Sequence, residues 1–508
     1  MTGETSIPIS RPLAELTLGL IEAPADLRVS DVTLDSREAS PGALFLACRG
    51  HLRHGLQFTA EAVSRGARAV LYEPDEDHPI EAPQLGSGVF VAPLPQLSRC
   101  AGVIADRFFG HPSRALEVAG ITGTNGKTTC AWLLAQALEL CGRSGTYMGT
   151  LGFGLPGALE DTQHTTSDAV TVHRRLARLR SQGARWVGME VSSHALEQAR
   201  IAGVRFHTAA FTNLTRDHLD YHGTLGAYGR AKARLFAVQD LTHRVINIDD
   251  AFGVELAGQS AQGQLIVTAR TAAAEAVPLG ARVVRASHVE PEGIGLRIRI
   301  ESAWGEGELA VPLIGEFNAD NALTVLAILL AADVPLPEAL AALRSCRAAP
   351  GRMEAFGGDV RRPLAIVDYA HTPDGLEKAL RAARLHCSGN LRVVFGCGGD
   401  RDAGKRPIMG RIAVSLADEI IVTDDNPRTE SPGRITADIV AGIGASRVRI
   451  EHDRGAAIRL ALAHSEAGDV VLVAGKGHEA YQVYGRERRP FRDQAVVCET
   501  LGISEAHA

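Results

Sequence analysis

Val118-Ala119-Gly120-Ile121-Thr122-Gly123-Thr124-Asn125-Gly126-Lys127-Thr128-Thr129 runs from an apolar strand through a glycine-rich turn into a helix carrying Trp132, Leu133, Leu134 and Leu138. Backbone N–H groups of such a turn, together with the positive end of the helix dipole, suit a bound polyphosphate. Gly123, Thr124, Asn125, Gly126, Lys127, Thr128 and Thr129 are therefore the expected ATP-binding set. Lys127 would reach the terminal phosphates, and the hydroxyl of Thr128 or Thr129 a magnesium ion. The commoner spacing G-x-x-x-x-G-K-[ST] needs glycine at position 121, where this chain has isoleucine. A plain β–α turn with a surface lysine is the alternative, disfavoured because strand, turn, Lys-Thr and helix occur together.

Around this turn, residues 113–349 read as one unit. Strands are expected at 186–190, 209–213 and 244–248, with a more β-rich stretch at 282–284 and 296–300 and an apolar helix over 318–330. Short apolar strands alternating with helices predict a largely parallel sheet covered on both faces. Glu190 ends one strand and opens Glu190-Val191-Ser192-Ser193-His194, and the run from Asn213 to His222 contains His218. In a parallel sheet both loops fall at the edge of the phosphate turn. A carboxylate and an imidazole there read as magnesium ligands, direct or through water; each taken alone is equally a helix cap or a loop histidine.

Residues 1–112 form an N-terminal α/β unit, with strands at 32–34, 43–47 and 69–72 and a helix near 57–66. The loop Asp35-Ser36-Arg37 either binds a ligand or turns the chain. Pro350-Gly351 marks a hinge into residues 350–508. Four apolar strands there (364–367, 391–395, 419–423, 470–474) each run into a polar loop: Asp368-Tyr369-Ala370-His371, Gly398-Gly399-Asp400-Arg401-Asp402, Asp424-Asp425-Asn426-Pro427-Arg428 and Gly475-Lys476-Gly477-His478-Glu479. Ligands of open α/β sheets bind beyond the carboxyl ends of the strands, so these loops should converge on one crevice.

At 508 residues the chain suggests roughly three domains. Its eight cysteines are scattered without a C-x-x-C pair, which predicts reduced thiols and neither a zinc site nor a disulfide framework. The opening Met1-Thr2-Gly3-Glu4-Thr5 lacks the segments of an export signal, so a cytoplasmic protein is expected. A net charge of −6 without basic runs gives no case for nucleic acid, and no apolar run suits membrane insertion. Small-molecule substrates and a monomer are expected.

Gly-Thr-Asn-Gly-Lys-Thr-Thr, Glu-Val-Ser-Ser-His, the Asn213–His222 run, Asp-Tyr-Ala-His-Thr-Pro-Asp and Gly-Lys-Gly-His-Glu stand in order across nearly the whole chain. Together they resemble the Mur ligases of peptidoglycan synthesis, and most closely the branch that adds meso-diaminopimelate. The resemblance implies an α/β chain of three domains: a UDP-sugar-binding α/β domain (1–112), a central P-loop-type ATP-binding domain with a mostly parallel sheet (113–349), and a Rossmann-like amino-acid-binding domain (350–508). It also implies ATP and Mg2+, with ATP phosphorylating the side-chain carboxylate of D-Glu in UDP-N-acetylmuramoyl-L-Ala-D-Glu. An incoming amine then displaces phosphate from the acyl phosphate.

By the same resemblance Lys127, Glu190, His218 and Lys232 are catalytic, and Thr128, Glu190, His218 and a carbamylated Lys232 serve magnesium. Spacing alone reads Lys232 as an ordinary helix-surface lysine. A carbamate there would replace a repelling cation by the hard oxygens magnesium prefers. For the nucleotide-sugar dipeptide the resemblance implies Leu34, Ser36, His51, Leu52, Arg53, His164, Thr165, Thr166, Ser192, Gln198 and Arg200, although His164 stands where relatives carry asparagine. Arg352 and Asp368 resemble residues that close over ATP.

meso-Diaminopimelate is a lysine-like diamine with a second, distal carboxylate, which calls for an arginine fork. Asp425-Asn426-Pro427-Arg428 supplies one and matches the diaminopimelate branch, whose lysine-adding relatives lack the arginine. Arg401 offers a second cation, Glu479 a partner for the distal ammonium, and Gly475 a backbone contact. Folylpolyglutamate synthase, the nearest enzyme alternative, leaves Asp35-Ser36-Arg37 and the Asp-Asn-Pro-Arg tetrad unexplained. A nucleotide-operated switch leaves the charged crevice unused.

Overall fold

The computed structural model describes residues 10–50, 53–74, 88–162, 164–272, 274–444 and 448–504. The chain divides into two compact units. One takes residues up to 127 with 142–246 and 250–265; the other takes 128–141, 247–249 and 266 onward.

The first unit holds a small antiparallel pair, Arg11–Pro12 with Arg28–Val29, and two larger sheets. Asp31–Thr33, Ala43–Ala47, Ala69–Tyr72 and Phe90–Pro93 pair in sequence order, every pair parallel. Leu44, Leu46 and Leu71 pack on the helix Leu97–Phe108 through Leu97, Ile104 and Phe108. The helix expected over 57–66 is shorter, Thr59–Ser64, and a 3-10 turn Gly55–Phe58 leads into it. In the second sheet the strands run in the order Ala158–Glu160, Gly152–Leu155, Gly145–Gly149, Trp186–Glu190, Glu117–Thr122, Thr208–Phe211, His243–Asn247. Glu117–Thr122 lies between two parallel neighbours and is buried from Val118 to Thr122, as a strand covered on both faces must be. The register pairs Glu190 with Ile121 and Phe211 with Thr122, so three strand ends meet at Gly123.

In the second unit Gln264–Ala269, Arg282–Glu292, Gly295–Ser302 and Gly305–Val311 lie in sequence order, the last three as an antiparallel meander. The helix Phe317–Ala331 is buried all round from Asn321 to Ala331, as a helix apolar on every face must be. A separate six-stranded sheet has the order Glu354–Gly357, Leu364–Asp368, Val470–Ala474, Leu391–Phe395, Glu419–Val422, Val448–Ile450. All pairs but the first are parallel. Alternation decides which face each side chain takes. Ile366, Val393 and Leu472 pack with Leu376 and Leu380 of the helix Pro373–Arg384. Ala365, Val367, Val394 and Val471 pack with Ile458 and Val497. This sandwich is the α/β architecture expected for 350–508, and its four polar loops leave one edge. Among the described residues no helix is long and apolar enough to cross a membrane, and the eight cysteines are free thiols.

Candidate active site

The phosphate turn is built around Gly123. Its φ of 154° and its closeness to the next strand exclude a side chain, since a Cβ would lie 1.9 Å from Thr212 Oγ1. The strand Thr208–Phe211 hands on to residues that latch the turn. Thr124 N donates to Asn213 O (2.8 Å), Asn125 N to Asn213 Oδ1 (2.9 Å), and Thr212 Oγ1 to Asn125 O (2.6 Å). Thr215 N closes on Thr124 Oγ1 at 2.9 Å. The helix Lys127–Leu140 starts at once, with Thr128 and Thr129 buried in its first turn.

Two lysines converge on the turn. Lys127 Nζ donates to the carbonyls of Gly123 (3.0 Å) and Thr124 (2.8 Å), curled over the place a polyphosphate would occupy. Lys232 Nζ donates to the same Gly123 carbonyl at 2.6 Å and lies 4.2 Å from the Tyr228 ring centroid. It is 1 % exposed, which corrects the surface-lysine reading that spacing alone supports. Burial, and then the charge of Lys127, push its ammonium well below the ordinary lysine range.

Glu190 sits at the strand end, 1 % exposed. Its Oε1 accepts from Tyr147 Oη (2.5 Å) and Thr150 N (2.9 Å), and its Oε2 from Thr150 Oγ1 (3.3 Å). From there a continuous network runs through the residues expected to hold the muramoyl dipeptide. Thr165 Oγ1 donates to Thr150 Oγ1 (3.0 Å), and Thr166 Oγ1 to the Glu190 carbonyl (2.9 Å). Ser192 N donates to Thr166 Oγ1 (3.1 Å) and Arg200 Nη1 to the Thr166 carbonyl (2.8 Å). Arg200 also grips Gln198 Oε1, and Gln198 Nε2 reaches Tyr221 Oη at 3.1 Å. His218 stands at φ 51° on the exposed side, its ring 4.9 Å from that of His194. Burial, and then the neighbouring His218 and His222, push the His194 imidazole down to about 4.

Just past the first strand of the N-terminal sheet, Ser36 opens a 3-10 turn, is buried and donates to Glu61 Oε2 at 2.7 Å. Asp35 caps the following 3-10 turn by accepting from Arg37 N, so the loop turns the chain. Leu34 packs on the core just past its strand. Arg53 and His164 are exposed. His51 and Leu52 lie outside the described residues.

The four loops of the second unit do converge. Gly475 N donates to the Asp368 carbonyl (3.1 Å), and Asp368 Oδ2 accepts from Met353 N (2.8 Å). Burial raises the Asp368 carboxyl against the pull of the Arg352 cation, which lies 4.6 Å from the Tyr369 ring centroid. Gly399 N donates to the Asn426 carbonyl (2.9 Å), and a Cβ at Gly399 would meet the Pro427 carbonyl at 1.9 Å. Arg428, at φ 52°, donates from Nη1 to the Gly399 carbonyl at 2.6 Å. Asn426 Nδ2 reaches Glu479 Oε2 at 2.8 Å. Asp425, Asn426 and Pro427 are buried, Arg428 is half-buried and Arg401 is exposed.

Three domain families match in chain order: "Mur ligase family, catalytic domain" over residues 28–101, "Mur ligase middle domain" over 121–329 and "Mur ligase, glutamate ligase domain" over 351–477. The UDP-N-acetylmuramoyl-L-alanyl-D-glutamate–2,6-diaminopimelate ligase of Ectopseudomonas mendocina is 48% identical over 496 residues, 97% of this chain and 99% of that protein. This chain belongs to the Mur ligase family. A solved structure of another protein with the same ligase name has a TM-score of 0.70 at 34% identity, covering 98% of this chain and 100% of that one. Folylpolyglutamate synthase of Mycobacterium tuberculosis has a TM-score of 0.59 at 17% identity over 73% of this chain and 91% of its own, a likeness of fold.

Several residues around this Mur ligase site escape motif reading. Tyr147 and Thr150, which hold Glu190, come from a neighbouring strand and its loop. A buried tyrosine in a glycine-flanked strand was the available signal, because its hydroxyl needs a partner. In the second unit two buried arginines underlie the loops, and a buried lysine stands within the Gly475–Glu479 loop itself. Arg406 grips Glu430 and Asp438, while Arg454 grips Asp493 and donates to the Ala474 carbonyl. Lys476 donates to Asn426 and Glu479.

Proposed function

We propose that this chain joins meso-diaminopimelate to the D-Glu side-chain carboxylate of UDP-N-acetylmuramoyl-L-Ala-D-Glu, using ATP and Mg2+, as a cytoplasmic monomer. The observation that carries the reading is the Asp425-Asn426-Pro427-Arg428 loop, held by Gly399 and Glu479 in a crevice of converging strand ends. The name of the Ectopseudomonas mendocina relative supports the same acceptor. Residues 1–112, 113–349 and 350–508 then serve the UDP-sugar, ATP and amino acid respectively.

The side-chain carboxylate attacks the γ-phosphorus of ATP, and ADP leaves. The acceptor amine adds to the resulting acyl phosphate, and the tetrahedral adduct expels phosphate as the amide forms. Lys127 is positioned to exchange its two carbonyl partners for the terminal phosphates, offsetting charge where it accumulates. Arg352 and Asp368 are the proposed nucleotide contacts of the second unit. Thr165, Thr166, Ser192, Gln198 and Arg200 orient the dipeptide, and Leu34, Ser36 and the 51–53 loop take the uridine end. Arg428, with Arg401, takes the distal carboxylate of the acceptor.

Thr128 would hold magnesium beside the triphosphate, and Glu190, His218 and a carbamate on Lys232 further magnesium. The buried carboxylate of Glu190 and the desolvated amine of Lys232 fit that donor set. Bound magnesium would supply charge neutralisation between the phosphates and the attacking carboxylate.

Phosphate release from ATP with UDP-N-acetylmuramoyl-L-Ala-D-Glu tests the reading. Release should require meso-diaminopimelate. Equal release without an acceptor would point to the switch instead, and silence with every acceptor would remove the ligase.

A further inference from the structure

Asn426 and Glu479 reach each other from loops that follow Glu419–Val422 and Val470–Ala474, and these strands are not neighbours. Leu391–Phe395 lies between them. Two strand spacings amount to about 10 Å, more than an Asn and a Glu bridge without a fixed geometry. The chain supplies that geometry from Lys476, 0 % exposed although it stands in a polar loop. Its ammonium donates to Asn426 Oδ1 at 3.2 Å and to Glu479 Oε2 at 3.0 Å, and faces the Tyr481 ring at 5.5 Å. Asn426 Oδ1 also accepts from Val483 N at 3.0 Å. Two donors on that oxygen fix which way the amide points, and so aim Asn426 Nδ2 at Glu479. The three side chains close a ring, with Lys476 walled off from the crevice and the Glu479 side chain still 19% exposed.

We infer that Lys476 is a positioning residue of the acceptor site, its buried ammonium holding Asn426 and Glu479 in the one arrangement that receives the incoming amino acid. The inference rests on the proposed acceptor reading of these loops. It also gives Glu479 a second role. One of its oxygens answers the internal cation, so the charge the glutamate presents to the acceptor ammonium is already partly compensated. Acceptor discrimination then falls mainly to the arginines and to the rigidity of the Asn426–Glu479 pair.

Lys476→Met removes the charge and keeps the stem. It should raise the KM for meso-diaminopimelate about tenfold or more while leaving the ATP KM within about twofold, since the lost bonds lie under the acceptor alone. Lys476→Gln, which leaves every acceptor-facing residue intact and still offers a donor to one of the two partners, should raise the acceptor KM in the same direction but by less. It is read by the same criterion if Lys476→Met loses cooperative melting. An unchanged acceptor KM, or equal losses for acceptor and ATP, overturns the proposal. Loss of cooperative melting in both variants also overturns it, by making Lys476 a residue of the fold. Wild-type protein that ignores diaminopimelate would instead remove the underlying reading, whatever the variants do.

Discussion

A primary amine taken out of water loses the hydration that stabilises its ammonium, and a second cation beside it adds to the loss. Lys232 meets both conditions, and its nitrogen is held 2.6 Å from the Gly123 carbonyl. The neutral amine is the form that combines with carbon dioxide, releasing a proton and leaving a carbamate. Wild-type protein equilibrated with 13C-bicarbonate should show a protein-bound carbamate carbon by NMR that Lys232→Met lacks. Identical spectra for the two would remove the carbamate from the account. The burial behind this chemistry was only faintly written in the sequence. Tyr228 and Lys232 stand four apart on the helix Leu225–Ala233 and share a face, so a buried tyrosine draws the lysine in with it. Nothing in the local spacing says that this face meets the phosphate turn, because that contact spans 109 residues.

At the scale of elements, the site exists because strand ends meet. The turn 123–126 is a connection whose shape depends on the adjacent strand, through Thr212 and Asn213. Gly123→Ala would force a Cβ into the Thr212 hydroxyl at a backbone angle alanine avoids, a cost of about 3 kcal/mol. The variant should melt several degrees lower and show a raised ATP KM, with Gly142→Ala (positive φ, open surroundings) as the control for backbone strain alone. An unaltered ATP KM would mean that the turn does not carry the phosphates. Such elements were readable in advance: an apolar run followed at once by a polar loop marks a parallel strand and its ligand end, and Leu364–Asp368, Leu391–Phe395, Glu419–Val422 and Val470–Ala474 all follow that pattern. The cations beneath them were not. Arg454 and Asp493 pair across 39 residues with no exposure on either side chain, and such pairings leave no periodic trace.

For the whole molecule, two sheets with their polar loops build these features: the phosphate turn and the Glu190–Arg200 network in one compact unit, and the Arg428 crevice in the other. Chain order made the family visible, since motifs dispersed over hundreds of residues keep one sequence in relatives that share the fold. The choice of acceptor rests on a smaller base, a guanidinium held by a backbone carbonyl and aimed by a loop around Pro427. A site built for a carboxylate penalises a ligand that lacks one, because its donors are then left without partners.

Competition in a single tube weighs that claim most directly. Equimolar meso-diaminopimelate and L-lysine, supplied with ATP, magnesium and UDP-N-acetylmuramoyl-L-Ala-D-Glu, would be read by the masses of the two tripeptide products. The diaminopimelate product should exceed the lysine product by at least about a hundredfold, and the ratio should collapse in Arg428→Ala. A lysine product in equal or greater amount from wild-type protein would contradict the acceptor assignment while leaving the ligase in place.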